Sequence, residues 1–227
     1  MKKTLLLLHG ALGSKQQFAE LKKQLSDEFE LYDLNFDGHG GSTTDEAFSI
    51  ALFTQNALAF MDAQGLEQVA IFGYSMGGYV ALNMALKHPN RVRQIITLGT
   101  KFDWTIESAS REVKMLNPAV IEAKVPHFAQ KLKEEHEPAD WKVLMKKTAD
   151  MMMDLGGGAR LAEEEWAKVE QPVLIGIGEK DKMVTLEESQ TVAQLLPNGE
   201  LVRLEGMPHP IDRVAVDQLA AYIQRIA

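Results

Sequence analysis

The sequence predicts an α/β fold: a doubly wound, mostly parallel sheet interrupted by an inserted helical segment. Three observations carry this expectation. Short apolar runs alternate with stretches of helical periodicity, the pattern of parallel strands joined by crossover helices. The run Val69-Ala70-Ile71-Phe72 leads directly into Gly73-Tyr74-Ser75-Met76-Gly77, and a helix-like stretch from Gly78 to Lys87 follows. From Lys101 to Lys168 the strand pattern stops, and the sequence becomes helical, charged and rich in methionine.

The elements follow in order. Thr4–Leu8 reads as a buried strand. After Lys2-Lys3 it imitates the start of a signal peptide, but its apolar stretch is shorter than the roughly 7–15 residues such a segment needs, and His9-Gly10 interrupts it. A helix near Lys15–Ser26 and a strand at Phe29–Leu34 come next, then the polar, glycine-rich loop Asn35–Ser42. Ile50–Gln64 is an amphipathic helix with Gly65 as its stop. Gln68–Phe72 is the strand before Ser75, Gly77–Lys87 a helix closed by His88-Pro89, and Gln94–Gly99 a further strand. Strand character resumes at Pro172–Gly178, followed by a helix at Leu186–Leu196, a strand at Leu201–Leu204 and a closing helix at Ile211–Ile226. The simplest organisation is one α/β core domain over 1–100 and 169–227, with a helical cap inserted over 101–168.

The composition of the 227 residues narrows the function classes. A hydrophobic content of 45% suffices for one sizeable core. The net charge of −8 argues against nucleic acid and anionic membrane surfaces as main partners. With no cysteine, disulfides and thiolate metal sites are excluded. No run approaches the ~18 apolar residues of a spanning helix. A soluble, cytoplasmic protein is expected.

The chemistry centres on Ser75. A serine on a sharp strand-to-helix turn presents its Oγ above the sheet, and the N–H of the next residue, Met76, faces the place where an oxyanion would form. An activated serine needs a general base, and the base an orienting acid. Both belong in loops after strands, because sites on doubly wound sheets gather at the strands' C-terminal ends. Of six histidines, His209 follows the last expected strand and suits the base. His9 also follows a strand but lies in a turn, and His39 is a possible substrate contact in the loop after the second strand. His127 and His136 fall in the cap, where Glu134-Glu135-His136-Glu137 reads as a solvated helix face. Asp181, three residues beyond Gly178, is the favoured acid, with Asp103 as its rival. A second oxyanion donor is expected in the turn His9-Gly10-Ala11-Leu12-Gly13-Ser14, at the Ala11 N–H; a simple glycine turn is the alternative.

Ser75, Asp181 and His209 stand in that order along the chain. With the G-x-S-x-G elbow, the turn His9-Gly10-Ala11 and the loop Asp37-Gly38-His39-Gly40-Gly41-Ser42, the sequence resembles the α/β-hydrolase fold family over nearly its whole length. The resemblance implies Ser75 as nucleophile, His209 as base, Asp181 as acid and an oxyanion hole at Ala11 and Met76. It also implies a cap at the position of 101–168. The chain departs from the family pattern by starting at what would be its third strand, so a six-stranded sheet without the leading hairpin is expected. Met207-Pro208 stands before His209 where the family often has glycine.

These features imply a serine hydrolase acting on small to medium carboxylic esters or thioesters, with no metal or cofactor. The absence of H-E-x-x-H, P-loop and G-x-G-x-x-G patterns agrees. Substrate contacts are expected from His9, Leu12, His39, Phe102, Trp104 and Met183. The cap methionines with Phe102, Trp104, Phe128 and Trp141 could form an apolar roof or simply pack the cap onto the core. Gly156-Gly157-Gly158 could be a hinge or a helix end needing positive φ. The competing readings are C–C bond or lactone hydrolysis by the same triad, and a ligand-binding or sensor protein with little turnover.

Overall fold

The computed structural model describes residues 2–226. Among them, six strands form one sheet: β1 (Lys3–Leu8), β2 (Phe29–Asp33), β3 (Val69–Tyr74), β4 (Val92–Leu98), β5 (Val173–Lys180) and β6 (Gly199–Pro208). The spatial order is β2-β1-β3-β4-β5-β6, and every pairing is parallel. All six carboxyl ends therefore share one rim. The chain steps outward from β1 to β2, then returns past β1 to β3, so the helix before β2 and the helix before β3 fall on opposite faces.

Both faces of β1, β3 and β4 are buried, which explains their nearly continuous apolar runs. Leu5 and Leu7 of β1 point into a core shared with Phe18, Leu21 and Leu25. The last two lie on α1 (Ala19–Leu25), and Leu219 and Ile223 of α10 (Val216–Ile223) close the same core. Leu6 and Leu8, one residue out of phase, join the opposite core. That second core is covered by α2 (Ile50–Ala63), α3 (Met76–Lys87) and α9 (Leu186–Leu195). Buried residues make up nine of the twelve in α3, which accounts for its small and apolar sequence.

Between β4 and β5 the chain forms α4 (Ile106–Val113), α5 (Pro118–Lys124), α6 (Pro126–His136), α7 (Trp141–Asp154) and α8 (Glu163–Trp166). Pro118 and Pro126 open their helices at positions where no N–H is needed. Thr105 caps α4 reciprocally: its Oγ1 accepts from the Ser108 N–H at 3.1 Å, and Ser108 Oγ accepts from the Thr105 N–H at 2.9 Å. The cap turns Ser108, Ala109 and Glu112 inward as one buried stripe. Trp104, Leu144, Met151, Leu155 and Trp166 join the core around α3, whereas Ile121, Ala129, Leu132, Trp141 and Met145 form a separate apolar cluster. The triple glycine ends α7 through a π-type turn, Leu155–Ala159, with Gly158 at φ +119. A Cβ on Gly156 would meet Ala109 and the Thr105 carbonyl at 2.7 Å, so the end of α7 lies tightly against α4.

Two elements differ from the sequence expectation. β6 runs to Pro208 rather than Leu204, because Gly206 at φ +69 bends the strand and a register shift opposite β5 lets pairing continue. The expected closing helix over 211–226 is broken. A 3-10 turn, Ile211–Arg213, seats Ile211 in the core, Val214 and Ala215 are extended, and only then does α10 begin. No helix among the described residues is long and apolar enough to cross a membrane.

Candidate active site

Ser75 lies between β3 and α3 with φ 51 and ψ −117, a conformation that a residue with a Cβ adopts only when its surroundings enforce it. The enforcement is visible. Its N–H donates to the Leu98 carbonyl at 2.8 Å, and its own carbonyl accepts from the Gly78 N–H and from Thr100 Oγ1, each at 3.0 Å. A Cβ on Gly73 would run into the backbone of Gly77 and Gly78, and one on Gly77 would run into the Leu8 carbonyl. Strand and helix thus meet backbone to backbone around the serine, which requires glycine at both positions.

Asp181 and His209 follow β5 and β6 at the same rim. Asp181 Oδ2 accepts from His209 Nδ1–H at 2.8 Å, with the side chains 1% and 9% exposed. The other oxygen, Oδ1, accepts from the N–H groups of Met183 at 2.8 Å and Val184 at 2.9 Å, which fixes the carboxylate. With Nδ1 protonated, Nε2 is the free acceptor. Asp103 is exposed, and its part in the structure is a carbonyl that accepts from Ser108 Oγ. Tyr74, just before the serine, donates its hydroxyl to the His209 carbonyl at 3.0 Å and ties the histidine loop to the elbow. Gly99, at φ +61, lies under the pair: a Cβ there would stand 3.1 Å from both Asp181 Oδ2 and His209 Nδ1. Neither Tyr74 nor Gly99 stands out in the sequence; the only signals are a tyrosine inside the elbow and a glycine ending a buried strand.

Ser75, His209, Ala11 and Met76 line one cavity of about 500 Å³, its open mouth included. Among the described residues the Ser75 hydroxyl makes no hydrogen bond to the His209 ring, and the Ala11 and Met76 N–H groups have no acceptor. Long or open contacts of this kind are common in unliganded sites and tighten when substrate arrives. Most of the remaining wall is apolar, including Ile50, Tyr79, Met151 and Leu155.

Of the expected substrate contacts, Trp104 and Met183 line this cavity, whereas His9, Leu12, His39 and Phe102 stand outside its wall. His9 is fully buried: its Nδ1–H donates to the Gly10 carbonyl at 2.9 Å and its Nε2 accepts from the Phe36 N–H at 3.2 Å. Burial lowers its pKa to about 4. His39 stacks on Phe48, with ring centroids 5.2 Å apart, and burial holds its pKa well below the usual imidazole range. Phe102 packs edge-on against Trp166. Of the other residues expected in a roof, Trp141 belongs to the separate cluster and Phe128 is exposed.

His136 corrects the expectation of a solvated helix face. It is fully buried, with Nε2–H donating to the Leu12 carbonyl at 3.1 Å and Nδ1 accepting from the Gly40 N–H at 2.9 Å. Glu135 beside it accepts from Ser14 Oγ at 2.6 Å. The end of α6 thus grips the loops after β1 and β2, and Leu12, next to Ala11, is held at φ +59.

A family model described as alpha/beta hydrolase fold matches residues 3–140. A pimeloyl-(acyl-carrier protein) methyl ester esterase of Edwardsiella ictaluri is 32% identical over 136 residues, 60% of this chain and 48% of the esterase. A 2-hydroxymuconate semialdehyde hydrolase of Pseudomonas putida is 24% identical over 186 residues, 72% of this chain and 64% of the relative. The chain therefore spans only about half to two thirds of the length of these curated relatives. Among solved structures, NosK from Streptomyces actuosus superimposes with a TM-score of 0.85 at 17% identity, covering 99% of this chain and 97% of that one. This last likeness speaks for the fold.

Proposed function

The chain belongs to the alpha/beta hydrolase family, and from that premise we propose that it is a serine hydrolase of small to medium carboxylic esters or thioesters. The observation that carries this reading is the buried 2.8 Å bond between Asp181 and His209 in the same cavity as the elbow serine. In this mechanism His209 Nε2 takes the Ser75 proton as Oγ attacks the carbonyl carbon. The oxyanion accepts from the Ala11 and Met76 N–H groups, which need no partner change in the resting protein to do so. Asp181 keeps the Nδ1–H in place and stabilises the imidazolium. Collapse breaks the C–O or C–S bond, and the alcohol or thiol leaves with the proton from Nε2 while the acyl group stays on Oγ. Water then attacks the acyl-enzyme, gives its proton to Nε2, and the acid is released as Ser75 regains that proton.

In the same reading, residues 101–168 act as a cap. Trp104, Met151, Met152 and Leu155 from that segment stand in the cavity wall with Ser75, and flexible methionines suit a pocket that accepts several acyl chains.

Labelling by a fluorophosphonate probe, alongside hydrolysis of p-nitrophenyl esters of increasing chain length, tests the proposal. Labelling and turnover should both vanish in Ser75→Ala. A wild-type protein that is neither labelled nor active on any of these esters would overturn it.

A further inference from the structure

The cavity around Ser75 is mostly apolar, yet Lys101, Trp104 and Glu112 in its wall bring polar groups to it. All three are largely buried, with Trp104 7% and Glu112 8% exposed and the Lys101 side chain 13%. Their hydrogen bonding is incomplete. The Trp104 Nε1–H and Glu112 Oε2 have no partner among the described residues. The Lys101 ammonium lies 3.7 Å from Glu112 Oε1 and 3.9 Å from Glu188 Oε2, beyond hydrogen-bond reach, and 5.8 Å from the centre of the Trp104 ring. Buried donors and acceptors are paired in nearly all folded proteins, so an unpartnered donor and an unpartnered acceptor on two residues that line one cavity point to a ligand that supplies both complements.

Charge and valence select that ligand. One ammonium faces two carboxylates, leaving a negative excess. A substrate carboxylate would meet this excess. An alkyl end would leave both open groups unpaired. An ammonium would satisfy Glu112 but not the indole N–H, and would sit beside Lys101. A hydroxyl offers both complements, a proton for a carboxylate such as Glu112 and an oxygen lone pair for an indole N–H such as that of Trp104.

We propose that Lys101, Trp104 and Glu112 form a subsite for a substrate hydroxyl, so that the preferred esters are hydroxylated rather than plain alkyl or carboxylate-bearing. That the ligand is turned over rests on the hydrolase reading; that it is selected does not. The two are separated by measuring binding in Ser75→Ala, by equilibrium dialysis against four methyl esters: 6-hydroxyhexanoate, heptanoate, 6-aminohexanoate and monomethyl adipate. The hydroxy ester should bind at least about tenfold more tightly than heptanoate and ahead of both charged esters. That ratio should fall toward one when Trp104→Phe or Glu112→Leu is added. Equal affinities for hydroxy and alkyl ester, tightest binding of the carboxylate or amine, or a ratio retained in both added variants would overturn the subsite. Selective binding by Ser75→Ala, with a wild type that neither hydrolyses the hydroxy ester or the p-nitrophenyl esters nor takes the fluorophosphonate label, would instead refute the hydrolase reading and leave the subsite standing.

Discussion

Acidification should destabilise this protein through its buried histidines, and His9 sets the scale. In the folded chain its pKa falls from the ordinary 6.5 to about 4, because burial seals the ring from water; this outweighs the bond to the Gly10 carbonyl, which favours the charged ring, and His136 adds a smaller downward push. The unfolded chain takes up a proton near 6.5, while the folded one resists until about 4. Between these values the unfolded state binds more protons, so stability rises with pH. The contribution is complete above 6.5 and lost as pH falls through the window. It amounts to about 3 kcal/mol, since one pH unit corresponds to about 1.4 kcal/mol for one proton. His39 and His136 are shifted in the same direction and steepen the loss. Urea unfolding followed by circular dichroism at intervals from pH 7 to pH 4 measures the slope, and the carboxylates that titrate in this range are common to wild type and variant. His9→Gln removes one titrating group, so its slope should be shallower by about one proton. Superimposable slopes for wild type and His9→Gln would refute the reasoning.

Other perturbations test the proposed catalytic roles. Asp181→Asn should lower kcat by about 10³-fold or more, as the base loses its orienting charge, whereas Asp103→Asn should behave as wild type; p-nitrophenyl ester kinetics on both decide. Gly99→Ala should cost roughly 1–3 kcal/mol in urea unfolding and depress kcat more than it changes KM, because its Cβ meets the His209–Asp181 pair at 3.1 Å from a backbone at φ +61.

What the sequence made legible was local or followed from strand order. Ser75 could be read because the elbow, its glycines and the flanking strand and helix lie within a few residues of one another. His209 and Asp181 could be proposed because each follows a strand, and parallel strands bring such loops to one rim. What stayed hidden depends on helix placement. His136 sits among charged neighbours that read as a solvated face, but its burial comes from Leu12 and Gly40, 124 and 96 residues away. Lys101 and Glu112 meet only because the reciprocal cap at Thr105 and the glycine-tight seat of α7 set the rotation of α4. The broken closing helix was equally unreadable, since neither glycine nor proline marks the break at Val214-Ala215.

The imidazole at the end of α6 has a mechanical consequence. Through one ring it fastens the Leu12 carbonyl and the Gly40 amide to a helix that enters from beyond β4. Displacing the end of that helix must either break both bonds or carry Leu12, and with it the neighbouring Ala11, along. Under the proposed mechanism, one side chain then sets both the seat of that helix and the position of the amide meant for the oxyanion, as a single tie rod braces two frames.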